Sequence, residues 1–312
     1  MTDTSLGEAL DPIGAEARGR EITGLGILQN TSDDITMDRA ADLMSLVNAD
    51  QPAGGMEMAY GEKQTQHLRF CKSQNPEASI IIFVHGGSWR SGTHLDSLGF
   101  AKVNHLTSKG YAFGTINYSL IPDVSVEEQV QEVANSIGFL SRNAPTLHFN
   151  PQHIVLMGHS SGAHVVTLLG TDSRYLEWAG VSIQNIKGVV ALDGSNYNAL
   201  AEIADSPDPV AENTAKGLGT DPKQLRAMSP VYHAGGPRAS AVLLLHIQRK
   251  GDNRQAIELD AALKAAGTDC TLHVFEGQGF EGHIKMLLRL GESDYPAMAV
   301  MDKWLEALVP LV

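Results

Sequence analysis

One serine of this 312-residue chain is flanked by glycines in a pattern that suits nucleophilic chemistry. The segment from Gly158 to Gly162 reads G-H-S-S-G and fits G-x-S-x-G. In that motif a sharp strand-to-helix turn leaves room only for glycine on either side and exposes the serine hydroxyl at a helix N-terminus. The apolar run Ile154–Met157 precedes the motif, and a helix-like run follows it. This context predicts that Ser160 is a nucleophile.

A second glycine-containing segment, H-G-G-S-W, starts at His85 and follows the apolar strand-like run from Ser79 to Val84. Consecutive glycines let backbone N–H groups approach a substrate without a clash from a Cβ atom, which is what an oxyanion hole requires. We therefore predict that the backbone N–H groups of Gly86 and Gly87, together with that of Ser161, stabilise an oxyanion.

A serine hydroxyl also needs a base. His283 follows the last predicted strand across the glycine-containing loop from Glu276 to Gly282, so it is the candidate base. His159 and His164 flank Ser160 in the chain and favour structural roles, as does His85 in the glycine loop.

The base in turn needs an orienting carboxylate. Asp252 comes five residues after the predicted strand Ala241–Ile247, and the chain order Ser160, Asp252, His283 is typical of this architecture. Asp193, directly after the preceding strand, is the alternative acid. The sequence favours Asp252 and leaves Asp193 open.

Two further residues are candidates for substrate binding because they lie inside these motifs: Trp89 and His159. The sequence contains no H-x-x-x-H pair, cysteine cluster or phosphate loop. We therefore expect no metal and no cofactor, with the chemistry done by side chains and water.

The elements that position these residues alternate between strands and helices over most of the chain. Apolar strand-like runs are separated by helical patterns. One predicted helix begins at a capping box formed by Ser125 and Glu128, and we predict that it ends before Pro145. This alternation predicts the α/β class, with a mostly parallel central sheet and helices on both faces.

Two segments interrupt the alternation. Residues 1–55 contain a predicted amphipathic helix at Met37–Val47 and form a predicted N-terminal cap or lid. Residues 56–312 form the predicted catalytic domain, in which 197–236 is a proline- and glycine-rich, cap-like insertion.

Composition narrows the classes of partner. The formal net charge of −13 disfavours nucleic acid. No apolar stretch is long enough to span a membrane, and no secretory signal is visible. Two distant cysteines, Cys71 and Cys270, suit a reducing cytoplasm. The sequence leaves the oligomeric state open, with a homodimer as one option.

Taken together, five segments resemble the α/β-hydrolase superfamily, in its branch of carboxylesterases and kynurenine formamidase-like arylformamidases. They are the segments around Ser160, His85, the Asn117–Leu120 strand end, Asp252 and His283. The resemblance runs from about Tyr60 to the C-terminus. It implies a triad of Ser160, His283 and Asp252 with an oxyanion hole at Gly86, Gly87 and Ser161.

The sequence thus predicts a serine hydrolase that cleaves a carboxylic ester or a small amide of a small-molecule substrate through an acyl-enzyme. The alternatives are an arylformamidase, then a serine peptidase, then a non-catalytic ligand-binding relic of a hydrolase.

Overall fold

The computed structural model describes residues 54–95, 100–205, 208–248, 252–277 and 279–309. The helix predicted at Met37–Val47 and nearly all of the predicted lid segment 1–55 therefore lie outside the described residues, and the role of that segment stays a prediction.

Eight strands form one sheet in the order β1-β2-β4-β3-β5-β6-β7-β8. Strands β3 to β8 are parallel, and β1 and β2 add an antiparallel edge next to β4. The strand bounds are β1 Met56–Ala59, β2 His67–Cys71, β3 Ile80–Val84, β4 Ala112–Ile116, β5 Ile154–His159, β6 Ile186–Leu192, β7 Ala241–Ile247 and β8 Asp269–Phe275. The predicted mostly parallel sheet is confirmed.

Helices cover both faces of this sheet, as the alternation predicts. Their bounds are α1 Phe100–Ser108, α2 Val126–Leu147, α3 Ser161–Thr171, α4 Arg174–Trp178, α5 Ala199–Asp205, α6 Asp208–Leu218, α7 Pro222–Ala227, α8 Asp252–Ala265, α9 Gly279–Arg289 and α10 Pro296–Leu308. Short 3-10 turns lie at Ile183–Asn185 and Pro230–His233. Helices α2, α3 and α8 share one core, and α1, α9 and α10 share the other.

Strand β3 shows why the central strands are continuously apolar. All five of its residues are buried, because Ile80, Ile82 and Val84 face one core while Ile81 and Phe83 face the other. A strand with helices on both sides has no solvent-exposed face, so its sequence does not alternate between apolar and polar residues.

The chain reverses its direction across the sheet between β3 and β5. Strand β4 lies on one side of β3 and strand β5 on the other, and β6, β7 and β8 continue away from β5. Ligands of open parallel sheets bind beyond the carboxyl ends of the strands at such a switch point. The two glycine motifs follow β3 and β5, so the topology places them there.

Two details differ from the sequence predictions. Helix α2 begins with the predicted capping box of Ser125 and Glu128, but it continues through Pro145 to Leu147. His148 then ends it in a left-handed conformation, with its N–H donating to the Ala144 carbonyl. The prediction that Pro145 ends the helix was wrong, because a proline so close to the C-terminus removes only one of the helix's hydrogen bonds.

The predicted insertion at 197–236 contains helices α5, α6 and α7 between β6 and β7. Helix α6 packs on the loop after β3: a Cβ atom on Gly217 would lie 2.8 Å from the Trp89 ring. Within the described residues, no helix is both long and apolar enough to cross a membrane.

Candidate active site

Ser160 occupies a strained turn between strand β5 and helix α3. Strand β5 ends at His159 and α3 begins at Ser161, so Ser160 alone makes the reversal. Its φ of 56° and ψ of −123° lie in a region that residues with side chains rarely adopt. Its N–H donates to the Leu192 carbonyl at the end of β6, at 3.0 Å. This hydrogen bond fixes the serine at the carboxyl edge of the sheet.

The two flanking glycines are required by close packing of the backbone. A Cβ atom on Gly158 would overlap the Gly162 carbonyl, and one on Gly162 would overlap the Val84 carbonyl at the end of β3. The glycines therefore allow the sharp turn and bring the start of α3 against β3.

The glycine loop after β3 lies directly beside Ser160. A Cβ atom on Gly86 would be 2.9 Å from Ser160 Cβ and 2.8 Å from the His159 carbonyl oxygen. Gly87, Ser88 and Trp89 all have positive φ values, of 112°, 53° and 63°. The loop is thus a tight, left-handed turn whose backbone approaches the serine closely.

Hydrogen bonds from neighbouring elements hold this loop in place. Tyr118 Oη donates to the His85 carbonyl at 2.8 Å, and Gln129 Nε2 donates to the Trp89 carbonyl at 2.8 Å. The Trp89 N–H donates to Ser161 Oγ at 3.3 Å. Because Ser161 is the first residue of α3, its own N–H belongs to the helix end whose donors lack intrahelical partners. Gly86 and the first residue of α3, Ser161, therefore lie next to Ser160, and their use together with Gly87 as an oxyanion hole stays a prediction.

His283 and Asp193 form a close pair on the other side. His283 Nδ1 lies 2.6 Å from Asp193 Oδ2, and Asp193 Oδ1 accepts the Ile247 N–H at 3.2 Å. The carboxylate accepts, so Nδ1 carries the proton and Nε2 is left with its lone pair. Asp193 directly follows Leu192, whose carbonyl binds the Ser160 N–H, which places the pair beside the elbow.

The carboxylate that contacts His283 among the described residues is thus Asp193, the alternative acid of the sequence, while the sequence preference for Asp252 stays a prediction. Asp252 is the first residue of α8, and its side chain lies outside the described residues. Asp193 has a φ of 44° and begins the turn at the end of β6, and this sharp turn directs its side chain at His283. Helix α9 begins at Gly279, within the predicted loop from Glu276 to Gly282, so His283 lies in the second turn of a helix.

A second histidine next to Asp193 was not predicted. His246 in β7 is fully buried, and its Nδ1 lies 3.4 Å from Asp193 Oδ1. The signal was a single polar residue in the apolar run A-V-L-L-L-H-I of β7. We assign His246 to the packing around the acid.

The two candidate substrate-binding residues are both buried. His159 Nε2 donates to the His283 carbonyl at 3.0 Å, and the two rings lie 4.2 Å apart. Burial and the neighbouring His283 hold the pKa of His159 well below its usual value. The Trp89 ring lies between Gly217 and His164, with the His164 ring 5.4 Å away. These contacts position His283 and the glycine loop, and contact with substrate stays a prediction.

Two more histidines near the motifs are buried in their neutral form. Burial lowers the pKa of His85 and of His164 to about 4. His85 stacks on Tyr118 with 4.3 Å between the ring centroids, and His164 Nε2 donates to the Met228 carbonyl at 2.7 Å. His85 and His164 are therefore both held against neighbouring groups inside the fold, and the structural roles assigned to them from the sequence stay a prediction.

These two histidines make the fold acid-sensitive. Their folded pKa of about 4 is below the usual 6.5, so between these values the unfolded chain binds more protons. The free energy of unfolding should therefore fall as the pH falls from 7 to 5, by about 1–2 kcal/mol for each histidine.

Urea unfolding at pH 7 and pH 5 measures this effect. We expect His164→Gln to reduce the pH dependence, and His273→Gln, which changes an exposed histidine on β8, to leave it unchanged. A free energy of unfolding that is equal at the two pH values would contradict the assignment.

The comparisons with known proteins agree with this geometry. The BD-FAE family model matches residues 68–250, which is more than half of the chain. The chain belongs to the BD-FAE family. This match covers β2 to β7 with the elbow, the glycine loop and Asp193, so the family relationship includes most of the candidate site.

Curated relatives of this BD-FAE protein include hydrolases of two kinds. Kynurenine formamidase of Danio rerio is 25% identical over 246 residues, covering 77% of this chain and 78% of the relative. The probable isoprenylcysteine alpha-carbonyl methylesterase ICME of Oryza sativa subsp. japonica is 26% identical over 145 residues, covering 45% of this chain and 34% of the relative.

Solved structures confirm the α/β-hydrolase fold. Esterase B from Lactobacillus Rhamnosis has a TM-score of 0.68 at 19% identity, covering 93% of this chain and 95% of the esterase. Est2 from Thermogutta terrifontis has a TM-score of 0.65 at 20% identity, covering 83% of this chain and 94% of the esterase. The resemblance to the esterase and formamidase branch is confirmed, and the BD-FAE protein is a hydrolase.

Proposed function

We propose that the protein cleaves a carboxylic ester or a small amide by forming an acyl-enzyme on Ser160. The observation that carries this proposal is a strained serine bonded to Leu192, the residue directly before the aspartate that pairs with His283. Ser160 has a φ of 56°. Its N–H donates to the carbonyl of Leu192, the last residue of β6, and Asp193 directly follows Leu192. Asp193 in turn orients His283 at 2.6 Å.

The first step in this proposal is attack of Ser160 Oγ on the substrate carbonyl carbon. His283 Nε2 accepts the serine proton as the new C–O bond forms. Asp193 does not take up that proton; it holds the correct tautomer and stabilises the imidazolium. The burial of Asp193, which is 2% exposed, strengthens this interaction because water does not screen it.

The tetrahedral oxyanion accepts hydrogen bonds from the backbone N–H groups around Ser160. We assign this role to Gly86, Gly87 and Ser161, since the glycine loop and the start of α3 meet at the serine. Their positions are fixed before the substrate arrives, so no reorganisation is needed when the negative charge develops.

Collapse of the intermediate breaks the bond to the leaving group, which takes the proton from His283. A water molecule then attacks the acyl carbon and gives its proton to His283, which returns a proton to Ser160 Oγ as the acid is released. Ester and small-amide substrates differ only in the leaving atom, oxygen or nitrogen, so one site serves both.

The helices between β6 and β7 are the proposed cap over the acyl site. Helix α6 contacts Trp89 through Gly217, and Asn198 at the start of this insertion is hydrogen-bonded to Gln255 and Glu258 of α8. The insertion is therefore fixed to the hydrolase core on two sides. From these two contacts we infer a shielded acyl site rather than an open groove for a polypeptide.

An activity screen tests the proposed function. We expect turnover of p-nitrophenyl esters with short acyl chains, weaker turnover of long ones, and no cleavage of short peptides. Ser160→Ala is the control for uncatalysed and contaminant hydrolysis. Peptide cleavage that requires Ser160 would favour the peptidase alternative, and the absence of all Ser160-dependent hydrolysis would favour the non-catalytic relic.

The second candidate is an arylformamidase, favoured by the kynurenine formamidase match over 77% of the chain. An N-formyl group is the smallest acyl group, so it suits a shielded site. The screen should therefore include N-formyl aromatic amines. A kcat/KM for these that exceeds the value for acetyl esters would select this candidate.

Gly86→Ala tests the glycine loop. The added methyl group would lie 2.9 Å from Ser160 Cβ, closer than carbon atoms normally approach, so the loop must move away from the serine. We expect kcat to fall roughly 100-fold or more, the effect of losing an oxyanion donor. Steady-state kinetics with p-nitrophenyl acetate measures it, with Gly235→Ala as the control because that position has open space. Equal loss in both variants would contradict the assignment.

A further inference from the structure

A cluster of three potential metal ligands lies at the antiparallel edge of the sheet, outside the candidate triad and oxyanion hole. Glu57 belongs to β1, His67 to β2, and His94 to the loop that follows β3. One ligand atom from each of the three lies within 4.8 Å of the others. Three ligands from three separate elements converge on one point, although they are 10 and 27 positions apart in the chain.

His67 is oriented as a metal-binding histidine would be. Its Nδ1 lies 2.8 Å from the Gln64 carbonyl oxygen. A carbonyl only accepts, so Nδ1 carries the proton and the lone pair is on Nε2. Such a hydrogen bond from the remote nitrogen to a backbone carbonyl is the contact that fixes the tautomer and orientation of metal-bound histidines.

Glu57 is held in a similar way by a neighbour that is not itself a ligand. Arg69 Nε donates to Glu57 Oε1 at 2.6 Å, while Glu57 Oε2 lies 3.1 Å from His94 Nε2. His94 Nε2 also lies 3.3 Å from Glu57 Oε1, so both carboxylate oxygens face His94 and Arg69 holds one of them. The guanidinium also stabilises the ionised carboxylate, which is the form that binds a cation.

His94 is fixed through its backbone. Its N–H donates to Asn117 Oδ1 at 3.3 Å, and its carbonyl accepts from Thr115 Oγ1 at 2.7 Å. The side chain is buried, and its ring meets the His67 ring edge-on with 4.4 Å between the centroids. Its Nδ1 is buried and has no hydrogen-bond partner among the described residues. The ring is therefore placed by its surroundings beside the other two ligands.

We propose that Glu57, His67 and His94 bind one divalent transition-metal cation, for which Zn²⁺ is the test ion. Two imidazole nitrogens and one carboxylate oxygen are a donor set that zinc binds, with water as the fourth ligand. Zinc binds such atoms at about 2.0–2.2 Å, so the three ligand atoms, which lie within 4.8 Å of one another, reach one ion after small side-chain rotations. The cation joins β1 and β2 to the loop that carries Gly86 and Gly87. It is a structural site, and it modifies the expectation of a metal-free chain drawn from sequence motifs.

Titration calorimetry of the untagged full chain with ZnCl₂ at pH 7.5 tests this proposal, with a thermal unfolding scan as the second measurement. We expect saturable binding of one Zn²⁺ per chain and an increase in Tm. Glu57→Gln and His67→Gln should each weaken binding at least ~10-fold and remove most of the increase in Tm. Both replace partly or fully exposed side chains at the edge, so the fold should be retained.

His273→Gln is the matched control, because His273 is an exposed strand histidine outside the cluster and its replacement should leave both measurements unchanged. Far-ultraviolet circular dichroism establishes that each variant is folded. The proposal is overturned if the unmodified chain shows no saturable binding of Zn²⁺. It is equally overturned if folded Glu57→Gln and His67→Gln bind Zn²⁺ as tightly as the unmodified chain. Both readouts are independent of hydrolase activity.

Discussion

Replacing Ser160 with alanine is expected to lower kcat/KM for p-nitrophenyl acetate by roughly 10⁴- to 10⁶-fold. The reason is that Ser160 is the proposed nucleophile, and alanine has no hydroxyl with which to form an acyl-enzyme. Ser160 alone forms the turn between β5 and α3, and its φ of 56° directs it away from the sheet. Alanine fits the same backbone, so the fold and the oxyanion donors should persist while covalent catalysis is lost.

The measurement is steady-state kinetics, with circular dichroism and Tm as checks on folding. Ser108→Ala is a suitable control, because it removes an exposed hydroxyl at the end of α1 and should leave kcat/KM unchanged. If folded Ser160→Ala hydrolysed the ester as fast as the unmodified chain, the nucleophile would have to be another residue.

Replacing Asp193 with asparagine is expected to lower kcat by about 10⁴-fold. The Ile247 N–H donates to Oδ1 at 3.2 Å, so that position must remain an acceptor. The amide nitrogen of asparagine then takes the place of Oδ2, 2.6 Å from His283 Nδ1. An N–H donor there forces His283 to accept at Nδ1 and to carry its proton on Nε2. In that tautomer the histidine cannot take the proton from Ser160.

Asp252→Asn is the matched comparison for this variant, because the sequence alone favours Asp252 as the acid. We expect its kcat to be close to that of the unmodified chain. A large loss in Asp252→Asn together with an active, folded Asp193→Asn would contradict the assignment of Asp193 and restore the prediction made from chain order.

The sheet and the elbow could be predicted because both depend on neighbouring residues. The buried strand β3 is a continuous apolar run, and the turn at Ser160 needs glycine at 158 and 162 for local steric reasons. The glycine loop was recognised for the same reason. Such local patterns can be read from the sequence without knowing how distant segments pack.

The identity of the acid depends on a contact between distant segments. Asp193 and Asp252 follow adjacent strands, β6 and β7, so their positions in the chain do not distinguish them. The choice is made by the left-handed turn at Asp193 and by the packing of helix α9, which carries His283. Neither feature leaves a local pattern, and the sequence therefore left the alternative open.

The antiparallel edge was missed for a related reason. Strands β1 and β2 are short, and their polar face carries Glu57, Arg69 and His67, so no apolar pattern marks them. The proposed metal ligands meet only through the pairing of these strands and the return of the loop after β3. A search for closely spaced ligand motifs cannot find such a site.

Mass spectrometry after labelling with a fluorophosphonate tests whether Ser160 is the nucleophile, since the probe phosphonylates an activated serine hydroxyl. We expect one label per chain, mapped to the peptide that contains Ser160, with none on Ser160→Ala and slower labelling of Asp193→Asn. A label on a different serine, or equal labelling of Ser160→Ala, would show that Ser160 is not the nucleophile.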